Sequence, residues 1–307
     1  MRIHQTWPVT DPAARGAAVA IGNFDGVHLG HQAVIDLARA RGRLGLVTFE
    51  PHPRQFFAPD APAFRLMSAE TRANRLAKLG VRDLYELPFG ARMANLSPEA
   101  FAREILHEGL GITHAVIGAD FRFGKGRAGS ALDLAALGRD LGFGVTIADL
   151  VHDGGVEVSS TAIRLALSEG RPRDAAAMLG HWHRVDGEVI HGEKRGRQLG
   201  YPTANMSVQG LHLPRLGVYA VKVEILTGPQ AGEYTGAASL GVRPQFGGTV
   251  PNLETFLFDF TGDLYGHHLS VALVDYLRPE MRFDGLQGLL DQMAADCVRA
   301  RQILATV

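Results

Sequence analysis

The feature that most constrains the fold is an alternation of short apolar runs with helical patterns over residues 17–148. The apolar runs, rich in β-branched residues, fall at 17–22, 44–49, 81–87, 114–118 and 143–148. Segments with apolar residues at helical spacing lie between them, at 31–41, 69–79, 97–109 and 131–141. Such alternation is typical of strand–helix–strand units whose strands run parallel. The sequence therefore predicts an α/β fold here, a parallel sheet with helices on both faces.

A different pattern follows residue 160. Two short helical segments come first, each closed by a glycine, Gly170 and Gly180. Apolar strand patterns separated by Gly and Pro turns then fall at 182–190, 217–226, 234–240, 253–258 and 268–276. Strands at such spacing predict a small antiparallel β-barrel, and the last segment predicts an amphipathic terminal helix packed on it. We therefore expect two domains, residues 1–180 and 181–307.

Composition narrows the classes of partner. The 307 residues carry 31 basic and 32 acidic side chains and a net charge of -1, which argues against nucleic acid held on a strongly basic surface. No apolar stretch has the length of a membrane span. The single cysteine, Cys297, excludes an intramolecular disulfide and is expected to pack in a core. We expect a cytoplasmic protein with neither nucleic acid nor membrane as a partner.

The densest motif, GNFDGVHLGH, starts at Gly22, where the first predicted strand meets the first predicted helix. Ligands of parallel α/β sheets bind at this edge, and a helix N-terminus offers free N–H groups to phosphate. Gly22, Gly26 and Gly30 let the backbone approach such a ligand. His28 and His31 project to one side and can donate hydrogen bonds to phosphate oxygens as charge builds during attack on phosphorus. The alternative is two ordinary surface histidines.

Two further motifs follow strands of the same predicted sheet. EPHP stiffens a loop that presents His52, and it is equally consistent with a rigid surface turn. DFRFGKGRAG places Asp120 at a strand exit, followed by Phe121, Phe123 and a basic glycine-rich loop. Its GKGRAG string fits the GxGxxG pattern of dinucleotide sites. Because it does not open a helix directly after the first strand, we discount that interpretation.

SSTAIR follows the last strand predicted for the first domain. Ser159 or Ser160 can cap the helix that begins near Thr161, and the cap aims N–H groups at the sheet edge. Arg164 would then lie one turn inside the helix. The alternative is a capped amphipathic helix with a solvated arginine.

A second dense stretch, GEVIHGEKRGRQLGYPTANM, combines a basic glycine-rich loop with Thr203 and Asn205. Charge alone makes it a weak candidate for a phosphate site, because basic loops are usually solvated and Thr and Asn commonly make turn hydrogen bonds. Downstream, Glu254, Phe256 and Phe258 share one face of a predicted strand. A charge in apolar company is costly without a purpose, unless the end of that face is exposed.

These motifs together resemble a known family. HxGH resembles the signature of nucleotidyltransferases. The chain resembles the FMN adenylyltransferase module of bacterial bifunctional riboflavin kinase/FAD synthetases in four motifs, which occur in the order GNFDGVHLGH, TFEPHP, GADFRFGKGRAG and SSTAIR. The resemblance implies a Rossmann-like nucleotidyltransferase domain with catalytic residues His28 and His31. It implies flavin contacts, suited to aromatic rings, at His52, Pro53, Phe121 and Phe123. It implies nucleotide or phosphate contacts at Gly22, Asn23, Phe24, Asp25, Gly26, Gly30, Asp120, Ser160, Thr161 and Arg164.

The C-terminal half resembles the riboflavin kinase module of the same family. GRQLGYPTAN matches the motif whose threonine and asparagine hold ATP phosphate and Mg2+, here Thr203 and Asn205, and Mg2+ prefers such oxygen ligands. LETFLFDFTGDLYG resembles the catalytic strand, which implies that Glu254 takes the proton from the riboflavin 5′-hydroxyl. Further nucleotide or phosphate contacts are implied at Gly192, Gly196, Arg197 and Gly200. In SLGVRPQF, Ser239 and Gln245 replace the usual Asn and Thr, which predicts weakened or rearranged contacts rather than lost activity.

The resemblance implies two ATP-dependent reactions assisted by Mg2+. The barrel would convert riboflavin to FMN, and the α/β domain would convert FMN to FAD with release of pyrophosphate, so riboflavin, FMN, FAD and ATP are the implied ligands. Two other hypotheses stay open. A different HxGH nucleotidyltransferase, acting on pantetheine phosphate or nicotinamide mononucleotide, would leave the YPTAN barrel unexplained. A flavin-binding sensor without turnover would leave the paired histidines and Glu254 without a task.

Overall fold

The chain divides into two compact units. The structure is a computed structural model that describes residues 1–149, 152–153, 156–192, 199–245 and 248–307. The first unit comprises Met1–Pro62 and Arg72–Val158, and the second comprises Ala63–Thr71 and Ser159–Val307. Each unit has its own hydrophobic core. The segment Ala63–Thr71 belongs to the second unit because its backbone is bound there: the carbonyl of Leu66, for example, is 3.0 Å from Nε2 of His183.

A parallel sheet forms the centre of the first unit. The strands of this unit are β1 Arg2–His4, β2 Ala18–Ile21, β3 Leu44–Glu50, β4 Asp83–Pro88, β5 His114–Gly118, β6 Arg122–Phe123, β7 Gly129–Ser130, β8 Gly144–Ala148, β9 His152–Asp153 and β10 Val156–Glu157. Six of them form one sheet in the order β1-β4-β3-β2-β5-β8, with every described pairing parallel. β2 is buried at every position, as expected for a parallel strand covered on both faces. The predicted α/β fold class is confirmed.

Helices connect these strands. They are α1 Leu29–Arg39, α2 Pro53–Phe57, α3 Ala69–Lys78, within which the boundary between the units falls, α4 Ala91–Ala94, α5 Pro98–Ala100 with a π-helical continuation Phe101–Leu110, and α6 Ala131–Leu141. Ser97 caps α5 and Ser130 caps α6, each accepting a hydrogen bond from a backbone N–H three residues on, which satisfies free donors of the first turn. GKGRAG lies between β6 and β7, which pair as an antiparallel hairpin. It therefore lacks the strand–helix context of a dinucleotide site.

The second unit is built around an antiparallel barrel. Its elements are α7 Ser160–Ser168, α8 Pro172–Leu179, β11 His183–Glu188, β12 Ala204–Ser207, β13 Gly217–Ile225, β14 Gly232–Gln245, β15 Gly248–Leu257, β16 His268–Arg278 and α9 Leu286–Leu304. The strand order is β11-β16-β13-β14-β15-β12. A bridge between Ile190, just past β11, and Asn205 in β12 nearly closes the ring. The predicted barrel with a terminal helix is confirmed.

Residues on alternate sides of β15 serve two different cores. Leu253 and Leu257 lie in the barrel interior with residues of the other strands. Phe258 is buried and Phe256 partly buried in a second cluster, outside the barrel, that includes Ala300 of α9. This alternation follows from the period of two along a strand. It fixes which face of β15 carries Glu254, because Glu254 and Phe256 are two residues apart.

Candidate active sites

The glycine-rich loop between β2 and α1 is strained and buried. Phe24 has φ 52°, Gly26 has φ 88° and Val27 has φ 46°. Phe24 and Val27 are buried, so neither side chain is free to relax into solvent. A β-branched residue such as Val27 rarely adopts a positive φ, and strain of this kind is found mainly where function requires one particular backbone path. The loop is therefore a candidate for a preformed part of a site.

His28 and His31 form a stacked pair at the start of α1. Their ring centroids are 3.7 Å apart with an interplanar angle of 17°. His28 is the N-cap residue, and its Nδ1 accepts a hydrogen bond of 3.3 Å from the backbone N–H of His31. A ring nitrogen that accepts carries no proton, so neutral His28 holds its proton on Nε2. The cap thus fixes one tautomer and leaves Nε2–H as the donor.

Both histidines are neutral at neutral pH. Burial lowers the pKa of His28 from 6.5 to about 4. Burial, and next the neighbouring His28, lower the pKa of His31 well below 6.5, because a charged form is poorly solvated there and two stacked cations repel. Among the described residues, Nδ1 of His31 is buried without a hydrogen-bond partner. The pair offers neutral donors to a ligand rather than positive charge.

Gly30 leaves room for the His28 ring. A Cβ at this position would lie 3.2 Å from Cε1 and from Nδ1 of His28. We expected this glycine to admit a phosphate to the backbone, and the structure instead places an imidazole over it. The predicted role of Gly30 toward phosphate stays a prediction.

The EPHP loop ends in the short helix α2. His52 caps this helix through Nδ1, which accepts from the backbone N–H of Arg54 at 3.0 Å, and Pro53 is its first residue. Phe57 of α2 is 67% exposed, and its ring contacts Phe89 edge-on at 5.8 Å. Sequence analysis missed Phe57, although an aromatic pair directly after EPHP was a visible signal. A large exposed aromatic ring beside a ligand loop is a candidate stacking surface.

The aromatic residues after β5 have different surroundings. Phe121 is partly buried and stacks on Phe123 with centroids 5.6 Å apart. Phe123 is 6% exposed within the core of the unit, and a Cβ at Gly129 would lie 2.8 Å from its ring. Asp120 is exposed. Of the two predicted flavin contacts here, Phe121 thus has the more accessible ring, and Phe123 supports it from the core.

SSTAIR forms the start of α7. Ser159 is the N-cap residue and accepts from the backbone N–H of Ala162 at 3.3 Å, so the predicted cap is confirmed with α7 beginning at Ser160. Arg164 donates to the carbonyl of Phe64 at 3.3 Å and lies 3.4 Å from Oγ1 of Thr161. The guanidinium therefore binds the segment Ala63–Thr71, which belongs to the same unit.

The barrel brings the predicted kinase residues Asn205 and Glu254 into one cross-strand row with Ser239, the residue that departs from the family pattern. Asn205 of β12 pairs with Glu254 of β15, and Ser239 of β14 pairs with Glu254 from the other side. Residues directly opposite each other in a sheet share a face and have Cβ atoms about 5 Å apart. Glu254 is partly buried, and Phe256, two residues further along the same face, packs against the apolar cluster that includes Ala300 of α9. The Tyr201 ring of YPTAN contacts Phe256 edge-on at 5.1 Å.

The side-chain amide of Asn205 is held on three sides. Its Oδ1 accepts from Nδ2 of Asn252 at 2.9 Å, and its Nδ2 donates to the carbonyl of Thr203 at 3.3 Å. A Cβ on Gly192 would lie 2.6 Å from Nδ2 of Asn205, so only glycine fits there without displacing the amide. Asn205 is 6% exposed. Sequence analysis missed Asn252, which lies outside the PTAN motif.

Several predicted residues lie outside the described part of the chain. Gly196 and Arg197 fall in the range 193–198, which lies outside the described residues, and so does the side chain of Gln245. Gly200 has φ 83° in a turn before β12, a conformation that favours glycine. Within the described ranges no cluster of three or more His, Cys, Asp or Glu could hold a metal ion, and no helix is long and apolar enough to cross a membrane.

The first unit has a histidine pair behind a strained glycine loop, and the barrel has Asn, Glu and Ser in one cross-strand row. These features are typical of a transferase with two sites that act at phosphorus. Family models agree in order and extent: residues 10–162 match FAD synthetase and residues 179–304 match riboflavin kinase. The chain belongs to the family of bifunctional riboflavin kinases/FMN adenylyltransferases, which are enzymes of flavin biosynthesis. The family and enzyme class predicted from the motifs are confirmed.

Individual relatives agree over nearly their full length. A bifunctional riboflavin kinase/FMN adenylyltransferase of Pseudomonas fluorescens is 41% identical over 300 residues, covering 96% of this chain and 95% of the relative. One of the same name from Escherichia coli K12 is 38% identical over 292 residues, covering 94% and 92%. A solved structure described as a macrolide-efflux protein from Streptococcus pneumoniae is 31% identical, covers 96% and 97%, and has a TM-score of 0.81. Its name differs from those of the curated relatives, and both family models support the latter.

Proposed function

We propose that each of the two units catalyses one of the two reactions in the family name. The first unit transfers AMP from ATP to FMN, which yields FAD and pyrophosphate, and the second transfers the terminal phosphoryl group of ATP to riboflavin, which yields FMN and ADP. The observation that carries the proposal is the register of the barrel, which aligns Asn205, Glu254 and Ser239 on one face. We take 1–180 and 181–307 as the two functional domains, although by their contacts α7 and α8 belong to the second compact unit.

In adenylyl transfer the protein's contribution is positioning and charge stabilisation. An FMN phosphate oxygen attacks the α-phosphorus of ATP, and the bond from that phosphorus to the pyrophosphate oxygen breaks. Nε2–H of His28 donates to a phosphate oxygen, and His31 supports it from beneath. The backbone of the strained loop surrounds the phosphates. This contact set is Gly22, Asn23, Phe24, Asp25, Gly26 and Gly30. Asp120 completes the proposed nucleotide contacts of this unit, and the contacts that the motifs predict at Ser160, Thr161 and Arg164, in the second compact unit, stay predictions.

For the flavin, exposed aromatic surface supports the assignment. His52 and Pro53 cap and begin a helix whose Phe57 is open to solvent, and Phe121 presents a ring backed by Phe123. An isoalloxazine ring stacks favourably on such surfaces. We propose these two aromatic positions as the flavin contacts of the first unit.

In the kinase step Glu254 acts as the base. Its carboxylate takes the proton of the riboflavin 5′-hydroxyl, that oxygen forms a bond to the terminal phosphorus, and the bond to the ADP oxygen breaks. Backbone from the glycine positions Gly192, Gly196 and Gly200, together with Arg197, would hold ATP phosphates.

A divalent ion fits the donors present beside Glu254. Thr203 and Asn205 supply a hydroxyl and an amide oxygen, and Oδ1 of Asn205 keeps one lone pair after accepting from Asn252. Mg2+ takes few protein ligands and completes its shell with phosphates and water, which suits this sparse set. When bound, Mg2+ neutralises phosphate charge. Because both reactions use ATP, we place the enzyme in the cytoplasm.

One incubation tests the proposal. The full chain with riboflavin, ATP and Mg2+ should accumulate FMN and then FAD, measured by chromatography of the flavins. His31→Ala should stop FAD formation and spare FMN formation, whereas Glu254→Gln should stop FMN formation yet leave added FMN convertible to FAD. Loss of both steps in the His31 variant, or normal FMN formation in the Glu254 variant, would contradict the assignment.

A further inference from the structure

A buried guanidinium outside the motifs lies beneath two of the proposed ligand loops. Arg72 of α3 is 1% exposed. Its Nη2 donates to Oε2 of Glu50 at 3.0 Å and to Oε1 of Glu86 at 2.7 Å, and its Nη1 donates to the carbonyl of Asn23 at 3.4 Å. Asn23 belongs to the strained glycine loop, and Glu50 directly precedes the first proline of EPHP. One side chain therefore connects both loops.

The carbonyl of Asn23 has a second donor. Oγ1 of Thr48 in β3 donates to it at 3.2 Å. This carbonyl sets the plane of the peptide between Asn23 and Phe24, and Phe24 holds a positive φ that an aromatic residue rarely adopts. Two side-chain donors on one carbonyl oppose relaxation of that peptide. A disfavoured backbone path persists only where its surroundings fix it in this way.

The charges around Arg72 also indicate positioning. Removing the Arg72 guanidinium and the Glu86 carboxylate from water is costly, and buried ion pairs are weak evidence for stability because apolar replacements often do as well. Glu86 touches neither loop: its second oxygen accepts from Nε2 of Gln5 at 3.3 Å. The planar fork of arginine lets one residue reach two carboxylates and a carbonyl at once, which a lysine cannot do.

We propose that Arg72 is a positioning residue for adenylyl transfer. With Thr48, it holds the Asn23–Phe24 peptide against the EPHP loop, so that the backbone facing ATP phosphates is set before the nucleotide binds. Preorganised donors stabilise developing charge without rearrangement during the reaction. The proposal rests on the function proposed for the first unit.

The test compares four variants of the full chain: Arg72→Lys, Thr48→Val, the double variant, and Glu86→Gln as control. Glu86→Gln alters the same ion cluster but keeps an oxygen that accepts from Arg72. We expect kcat/KM for FAD formation from added FMN to fall about tenfold in Arg72→Lys and about threefold in Thr48→Val. The double variant should lose more than the product of the two, because the carbonyl then has no full donor. Glu86→Gln should stay within about twofold of wild type.

Two further measurements separate positioning from general stability. The KM for MgATP in FAD formation should rise in Arg72→Lys and not in Glu86→Gln, and riboflavin phosphorylation should stay unchanged in every variant. The role of Arg72 would be overturned if Glu86→Gln lost as much FAD formation as Arg72→Lys. It would also be overturned if the loss in the double variant were no greater than the product of the two single losses. If the wild-type chain formed no FAD from FMN while phosphorylating riboflavin, the function proposed for the first unit would fail, and this proposal with it.

Discussion

The stacked histidine pair should make the first unit sensitive to acid, and His28→Asn isolates the effect. Asparagine at an N-cap accepts the same backbone hydrogen bond that His28 accepts from His31, but it does not titrate. The substitution therefore removes a buried imidazole and keeps the cap. The loss of ring stacking lowers stability equally at every pH, so only the dependence on pH reports on the proton.

The pKa of the imidazole gives the size of the effect. Burial lowers the pKa of His28 from 6.5 to about 4. Between about pH 6.5 and about pH 4 the unfolded chain binds this proton more readily than the folded chain does. The free energy of unfolding is therefore at its full value above about pH 6.5 and decreases as the pH falls toward about 4. At about 1.4 kcal/mol per pKa unit the whole loss is about 3 kcal/mol. Between about pH 7 and about pH 5 it is about 2 kcal/mol.

Urea unfolding measures the effect, with fluorescence assigned to one unit. The chain has 2 tryptophans, Trp7 in the first unit and Trp182 in the second, so a Trp182→Phe background leaves Trp7 as the reporter. The histidine version should lose about 2 kcal/mol more than His28→Asn between about pH 7 and about pH 5. His107→Asn, which removes an exposed imidazole, serves as the control and should keep the steep dependence. Identical pH dependence with and without His28 would refute the reasoning.

Three other predictions concern the sites directly. Gly192→Ala should lower the rate of riboflavin phosphorylation more than about tenfold, because an added Cβ would lie 2.6 Å from Nδ2 of Asn205. Chromatography of the flavins measures this rate, and unchanged FMN formation would show that the Asn205 amide can move aside. Asn252→Leu should weaken MgADP binding about tenfold in calorimetry, since Asn205 loses the donor on Oδ1; equal affinity would contradict this. Because His28 and His31 are neutral, kcat/KM for FAD formation should be constant between about pH 6 and about pH 8, and a fall above about pH 6.5 would show that a protonated imidazole is required.

Periodicity predicted the elements that bury a regular face. The strands of the parallel sheet and the long barrel strands were found because their apolar residues recur locally. β1, Arg2–His4, was missed because it is short and mostly exposed and is held only by pairing with β4. β12, Ala204–Ser207, was missed for a similar reason: it has four residues and pairs with β15 about fifty positions away. Such strands depend on long-range partners, which a local pattern does not contain.

The motifs predicted which residue types form the sites, but not the protonation or tautomeric states of their side chains. HxGH predicted a pair of donors, whereas the tautomer of His28 follows from its cap and the neutrality of the pair follows from burial. Nothing in the sequence around Arg72 distinguishes it from Arg75, the other arginine of α3. Its role emerges only when α3 places it beneath Asn23 and Glu50, contacts that span long sequence distances.

The departure at Ser239 acquires a physical meaning from the barrel register. Glu254 lies between Asn205 on one neighbouring strand and Ser239 on the other, so the residue opposite the proposed base on β14 is the one that differs from the usual asparagine. A serine hydroxyl still donates a hydrogen bond, as an asparagine amide does, but it extends less far from the strand. The residue opposite the carboxylate on β14 therefore still carries a donor, on a shorter side chain. We therefore expect Ser239 to leave the proposed proton transfer to Glu254 in place, so the substitution is compatible with the proposed kinase step.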